Sequence, residues 1–202
     1  TTATGLRDYV ILSILYTTGI RVSELIFIKV RDVSLHEPET LLVLGKGNKY
    51  RYVPLMKHVI PYISRYLDIQ GYSHPGKENE WLFKNHMKTQ FTRQGINYLI
   101  SKYTTMARKK APSLIPEDFS PHKIRHSTAM GLVDSGVDLI YIRDLLGHVS
   151  VKTTEVYAKT SAQLKRKAIE ALANKIVPEE IPEWEFDCDL KLWLKNLGKR
   201  KS

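Results

Sequence analysis

The stretch from Pro121 to Tyr157 (PHKIRHSTAMGLVDSGVDLIYIRDLLGHVSVKTTEVY) restricts the fold more than any other part of the chain. Arg125 follows His122 by three residues, so on a helix their side chains share a face. Tyr157 lies nine residues beyond His148, and on a continuous helix the two would point in opposite directions. They converge only if the chain breaks between them. Gly147, after a Leu-Leu pair, is a helix stop, and Ser150 ahead of VKTTEVY is an N-cap for a new short helix. The stretch therefore predicts a helix over 122–135 ended by Gly136, a second over 139–146 capped by Asp138, and a third carrying Tyr157.

Upstream, Leu6, Val10, Ile11, Ile14 and Leu15 recur at helical spacing within 5–18, and Gly19 is placed to stop that helix. IRVSELIFI reads as a second short helix, with Arg21 and Glu24 one turn apart. An arginine between Ile20 and Val22 emerges from an apolar wall and needs an anionic partner, which Glu24 can supply. The plainer alternative is an exposed arginine at a helix start. From Asp32 to Pro54 the period changes: β-type runs at 41–44 and 50–53 flank a Gly-Lys-Gly-Asn-Lys turn, predicting a hairpin. Lys46 and Lys49 project from the turn, with Arg51 just after it, a tip suited to a nucleic-acid backbone and equally to solubility. The Gly-Lys-Gly lacks the spacing and the following Ser/Thr of a phosphate-binding Walker loop.

Helices are expected over 57–70, with Pro61 in the first turn, and over 90–110, which carries Arg93, Lys102, Arg108, Lys109 and Lys110. WLF at 81–83 predicts a brief strand, and three prolines in 111–122 interrupt any helix there. Beyond Tyr157, a basic helix over 161–176 leads into an acidic linker, 178–187, and a final amphipathic segment presenting Leu190, Trp193, Leu194 and Leu197. The expected class is mainly α with a small antiparallel β-hairpin or sheet (α+β). Residues 1–177 form one domain in this reading, with 178–202 a linker and C-terminal helix.

Thirty-one Lys and Arg against 21 Asp and Glu give a net charge of +10, which suits a polyanionic partner such as nucleic acid. The single cysteine, Cys188, excludes an intramolecular disulfide and fits a reducing compartment. No apolar run approaches the roughly 18 residues of a membrane span, and the N-terminus lacks the layout of a signal peptide. The abrupt start at TTATGLRDYV, without a methionine, is expected of a fragment of a longer protein.

Taken together, Arg21, Lys46, His122, Arg125, His148 and Tyr157 compose a phosphoryl-transfer site. Two arginines clamp the non-bridging oxygens of a phosphodiester and stabilise the charge that grows in the transition state. Tyrosine is a competent nucleophile, giving a phosphotyrosine. His122 suits a general base, Lys46 a donor to the departing alkoxide, and His148 one more hydrogen bond to phosphate. No metal or cofactor is required. Each residue has a plain alternative. His122 and His126 are spaced as zinc ligands, yet HKIRH lacks the glutamate of H-E-x-x-H and sets Arg125 between them. Arg125 is also placed to bind a carboxylate such as Asp118, and Tyr157 to be an ordinary helix tyrosine.

TGIRVSEL (18–25), GKGNKYRYVPL (45–55), SPHKIRHSTA (120–129) and LLGHVSVKTTEVYA (145–158) resemble, in order, the four signature blocks of the tyrosine recombinase (phage integrase) family. The resemblance implies that family's catalytic-domain fold. It implies Arg21 as the first arginine, Glu24 as the acidic residue after it, Lys46 as the hairpin lysine and His122 with Arg125 as the H-x-x-R pair. His148 then takes the His/Trp position and Tyr157 is the nucleophile. The function implied is site-specific recombination through a 3′-phosphotyrosine, without ATP, metal or cofactor. The likeness is to bacterial chromosome-dimer recombinases and to integrases of conjugative transposons, which the sequence does not separate; movement of a mobile genetic element is the expectation. Implied partners are double-stranded DNA recombination sites, a tetramer of this chain on two duplexes, and accessory DNA-bending or excision factors, in the bacterial cytoplasm at the nucleoid. The resemblance also implies a preceding core-binding domain, absent from this chain, and exchange of 178–202 between protomers. Two other readings stand beside it: a type IB topoisomerase-like enzyme, and a basic module that only binds DNA.

Overall fold

The computed structural model describes residues 2–147, all within one compact unit, Thr1–Lys159. The expected helices beyond Gly147, with His148, Tyr157 and the tail over 178–202, lie outside the described residues.

Helix α1 (Ala3–Thr18) starts where the Thr2 hydroxyl accepts the Gly5 N–H at 3.1 Å. It buries Leu6, Val10, Ile11, Ile14 and Leu15 along one stripe. Gly19 ends it with φ 62°, its N–H donating to the Leu15 carbonyl at 3.0 Å. The predicted second helix shrinks to a single turn, α2 (Val22–Leu25). Phe27 and Ile28 donate to carbonyls three residues back, at Glu24 and Leu25, which tightens the turn. The Ile28 carbonyl then accepts from Leu82 N–H at 2.9 Å, drawing the chain into an extended path.

Strands β1 (Val33–Ser34), β2 (Thr40–Leu44) and β3 (Tyr50–Pro54) form an antiparallel sheet in that order. The register pairs Val43 with Arg51 and Leu42 with Tyr52, so Leu41, Val43 and Val53 face the core. Tyr50 and Tyr52 stand on the solvent face. The sheet is one strand larger than the hairpin expected from sequence. The strand expected at 81–83 does not form. Trp81 makes only an isolated bridge to Lys29, while the Trp81 and Leu82 carbonyls accept the hydroxyls of Tyr72 (3.0 Å) and Tyr66 (2.7 Å). Side chains occupy the acceptors that a neighbouring strand would need. Burial pushes both phenols above their ordinary pKa, so they stay protonated donors.

Helix α3 (Ile60–Ile69) holds Pro61 in its first turn, and α4 (Arg93–Lys110) is capped by Thr92 Oγ1, which accepts the Gly95 N–H at 3.0 Å. Helix α3 packs on α1 and α4 on α2, and Ile63, Tyr66, Ile96, Leu99 and Ile100 join the main core. One buried carboxylate ties α1 to α4: Asp8 accepts from Arg7 at 2.7 and 3.0 Å and from the Tyr103 hydroxyl at 3.1 Å. Helices α5 (Pro121–Asp134) and α6 (Leu139–Leu146) form a second, smaller apolar cluster around Ala129, Ile142 and Leu146. Asp138 caps α6 by accepting from Ile140 N–H at 2.8 Å, as the sequence implies. No helix among the described residues is long and apolar enough to cross a membrane.

Two glycines separate backbone demand from helix propensity. A Cβ at Gly19 would add to the cost of its positive φ a contact of 2.7 Å with Leu146 Cδ2. At Gly131, exposed within α5, a Cβ would meet nothing within 4 Å. Gly19→Ala is expected to lower unfolding stability by about 2 kcal/mol or more. Gly131→Ala is expected to raise it by roughly 0.5–1 kcal/mol. Denaturant midpoints of the two variants, compared with wild type, check both.

Candidate active site

Three arginines from three elements meet at the C-terminal end of α6. A helix end leaves its last carbonyls unpaired and carries partial negative charge, so cations are favoured there. Arg51 Nε, from β3, donates to the Leu145 carbonyl at 2.9 Å. Arg125 Nη2, from α5, donates to the Leu146 carbonyl at 2.6 Å. Arg21 Nη1, from the N-cap of α2, reaches the Gly147 carbonyl at 3.5 Å, the long limit of a hydrogen bond. Gly147 itself is left-handed, with φ 65°.

Arg125 is 6% exposed and also donates through Nη1 to the Gly19 carbonyl at 2.6 Å. It therefore joins the end of α1 to the end of α6. One turn on, the Thr128 hydroxyl reaches the Tyr16 carbonyl at 2.6 Å. Asp118, the carboxylate that the sequence offered to Arg125, pairs with Lys123. His122 shares the helix with Arg125 but lies exposed in its first turn, just after the Ser120 cap.

Glu24 is the counter-charge. Its carboxylate is buried and accepts a two-pronged bond from Arg51, Nη1 to Oε1 at 3.0 Å and Nη2 to Oε2 at 2.8 Å. It also accepts from the Arg21 guanidinium at 3.1 Å and from the Arg21 backbone N–H at 2.8 Å. The Arg21–Glu24 pairing expected from spacing is thus present. The side chain of Arg21 is 38% exposed, and its Nε and Nη2 make no hydrogen bond among the described residues. It is anchored at one nitrogen with donors to spare. Burial alone would raise the Glu24 pKa, but the bonds from Arg51 and the Arg21 backbone, with both guanidinium charges, outweigh it and hold it below the ordinary value.

Lys46 sits exposed at the hairpin tip. It lines a cavity of about 640 Å³ with Lys49, Tyr50 and Arg51 on one side and Arg143, Asp144 and Gly147 on the other. Asp144 is engaged by Arg143 at 2.7 Å. The structure thus brings Arg21, Glu24 and Arg125 to one backbone junction and places Lys46 on the adjoining cavity. His122 makes no hydrogen bond to any of these four residues. Among the described residues, no three His, Cys, Asp or Glu side chains cluster as a metal ion would require.

Sequence reasoning counted Arg51 only among the charges at the hairpin tip and gave it no place in the site. A signal was present: in YRYVP the inward phase of the strand runs through Val53, and Arg51 falls in that phase. A charged side chain on a core-facing strand position requires a buried counter-charge.

Comparison with known proteins places the chain in a family. The model of the phage integrase family matches residues 1–163. Tyrosine recombinase XerC of Staphylococcus carnosus (strain TM300) is 40% identical over 167 residues, covering 81% of this chain and 52% of the relative. Tyrosine recombinase XerD of Listeria monocytogenes serotype 4b (strain F2365) is 35% identical over 167 residues, with 81% and 54% covered. The chain thus spans about half the length of these curated relatives. The crystal structure of XerH bound to palindromic difH substrate, a post-cleavage complex, superposes with TM-score 0.70 at 29% identity, covering 84% of this chain and 46% of that one. The Tn1549 transposon integrase, at 19% identity and TM-score 0.61 over 80% of this chain and 59% of its own, shares the fold.

Glu24→Gln removes the charge that two guanidiniums share. It is expected to cost roughly 3 kcal/mol at neutral pH, the low end for breaking one side of a buried ion pair. Because the folded carboxyl ionises below its unfolded value, that stabilisation is fully present above the unfolded pKa. It is lost as the pH falls through the folded pKa. Wild type and variant should therefore differ most at neutral pH and converge in acid, in denaturant midpoints measured across a pH series.

Proposed function

Given that the chain belongs to the phage integrase family, we propose that it is the catalytic part of a site-specific DNA recombinase. It cuts and rejoins duplex DNA through a 3′-phosphotyrosine. The observation that carries the reading is the pair Arg21 and Arg125, held by backbone carbonyls at one junction beside a cavity lined by Lys46. Pre-positioned guanidiniums need little reorganisation when charge develops on a phosphate, which is where such groups contribute most to rate. The relative XerH was captured on its DNA after cleavage, which supports the same chemistry at 29% identity.

In the proposed step, the Tyr157 oxygen attacks the scissile phosphorus while His122 takes the phenolic proton. The bond from phosphorus to the 5′-oxygen breaks, and the Lys46 ammonium protonates that oxygen. Arg21, Arg125 and His148 hold the non-bridging oxygens. The phosphotyrosine conserves the bond energy, so the free 5′-hydroxyl of a partner duplex attacks it in turn without ATP. Glu24 keeps Arg21 in place. Residues 1–177 form the catalytic domain in this reading, and 178–202 are exchanged between protomers of a tetramer on two duplexes in the bacterial cytoplasm. That the sites joined are ends of a mobile element is the finer reading, supported by resemblance alone.

The test is covalent capture. The chain is incubated with a library of randomised, nicked duplexes, and cleaved sequences are recovered from the protein–DNA adduct. Wild type should form an adduct at a preferred sequence, and Tyr157→Phe should form none. Arg21→Ala and Arg125→Ala should each slow adduct formation by about 10²–10³-fold, and raising the salt should weaken binding steeply. An adduct persisting in Tyr157→Phe would overturn the assignment. Relaxation of supercoils without site preference would replace recombination with a topoisomerase-like cycle. Recovered sites that map to the ends of an insertion would support the mobile element.

A further inference from the structure

Arg51 lies between two glycines that each precede a candidate catalytic residue. A Cβ at Gly45, next to Lys46, would stand 3.0 Å from Arg51 Nη1. A Cβ at Gly147, next to His148, would stand 2.8 Å from Nη1 and 2.9 Å from Cζ. The guanidinium fills the space those missing atoms leave. It is 14% exposed, forked onto Glu24 and bonded through Nε to the Leu145 carbonyl. Five N–H donors in a rigid plane allow one side chain to hold three acceptor atoms on two partners at once. Lysine offers no such fork.

We propose that Arg51 is a positioning residue that sets the hairpin carrying Lys46 in register with the end of α6 and with Arg21. The inference rests on the recombinase reading above and adds a residue to which that reading gives no role. Through Glu24, Arg51 shares a carboxylate with Arg21. Through β3, it fixes the base of the turn, where the Gly45 N–H donates to the Lys49 carbonyl at 2.8 Å. Lys46 is otherwise exposed on a long flexible stem, so its approach to a leaving oxygen depends on where the base of the turn is held. Displacement of a reacting group by about 1 Å costs on the order of 10²-fold in rate.

Bridging sulfur separates this role from a merely structural one. In a nicked duplex whose scissile 5′-oxygen is replaced by sulfur, the leaving group departs as a thiolate and needs no proton, since thiols ionise near pH 8.5. The duplex carries the sequence recovered by covalent capture. Arg51→Gln should cleave the oxygen substrate about 10²-fold more slowly than wild type and the sulfur substrate within about tenfold of it. Lys46→Ala should show the same rescue, and Arg21→Ala should not. Gly45→Ala keeps every charged group and crowds the guanidinium. It should show a smaller loss, also restored by sulfur, and it decides the matter if Arg51→Gln fails to fold by circular dichroism. Equal loss on both substrates, or no loss on oxygen, would overturn the positioning role. A wild-type chain that forms no adduct with either substrate would instead defeat the recombinase reading.

Discussion

The candidate site depends on how the last turn of α6 is terminated. Its carbonyls at Leu145, Leu146 and Gly147 are each met by a guanidinium from a different element. The helix end attracts cations, and the cations pull together β3, the α1–α2 junction and α5. Loss of any one removes the guanidinium donor from a carbonyl of that junction. That loss also releases the element that brought the arginine. The site is therefore assembled by the same bonds that close the domain.

Gathering cations creates its own difficulty, which Glu24 answers. Two guanidiniums share one buried carboxylate, so the cluster keeps net positive charge beside the cavity that Arg51 lines. A carboxylate so deeply buried is tolerated only when paired and hydrogen-bonded, and Glu24 is both. Its depressed pKa follows from that pairing outweighing desolvation. The residual charge falls on Arg21, whose outward nitrogens are uncommitted among the described residues. A phosphodiester is the kind of anion that such an arrangement binds.

How much of this could be read in the chain itself depends on the distance between partners. Helix ends were legible wherever the signal is local. Gly19, Asp138 and Gly147 each act within a few residues of their own backbone, and each stands where expected. The Arg21–Glu24 pair was legible for the same reason. The failures share a physical cause: the deciding partner is remote. The run 81–83 has strand-like residues, but the hydroxyls of Tyr66 and Tyr72 claim its carbonyls. Arg125 has a local carboxylate on offer in Asp118, yet it donates to carbonyls 106 and 21 residues away in sequence. The fork between Arg51 and Glu24 spans 27 residues and depends on strand register. Periodicity says which way Arg51 points, not what it meets.

The two glycines against Arg51 bear on why the hairpin motif reads as it does. Gly45 is not in the left-handed region, so its backbone does not itself call for glycine. What calls for it is the guanidinium 3.0 Å from where a Cβ would lie. Gly147 combines both demands, a positive φ and a still closer approach to the same group. Glycine, lysine and arginine in GKGNKYR thus answer one requirement: an arginine packed against the first residue of the turn, a glycine small enough to admit it, and a lysine exposed at the tip. Glycines packed against one guanidinium bring two loops remote in sequence onto a single side chain. The fork on Glu24 then fixes the orientation of that side chain relative to Arg21.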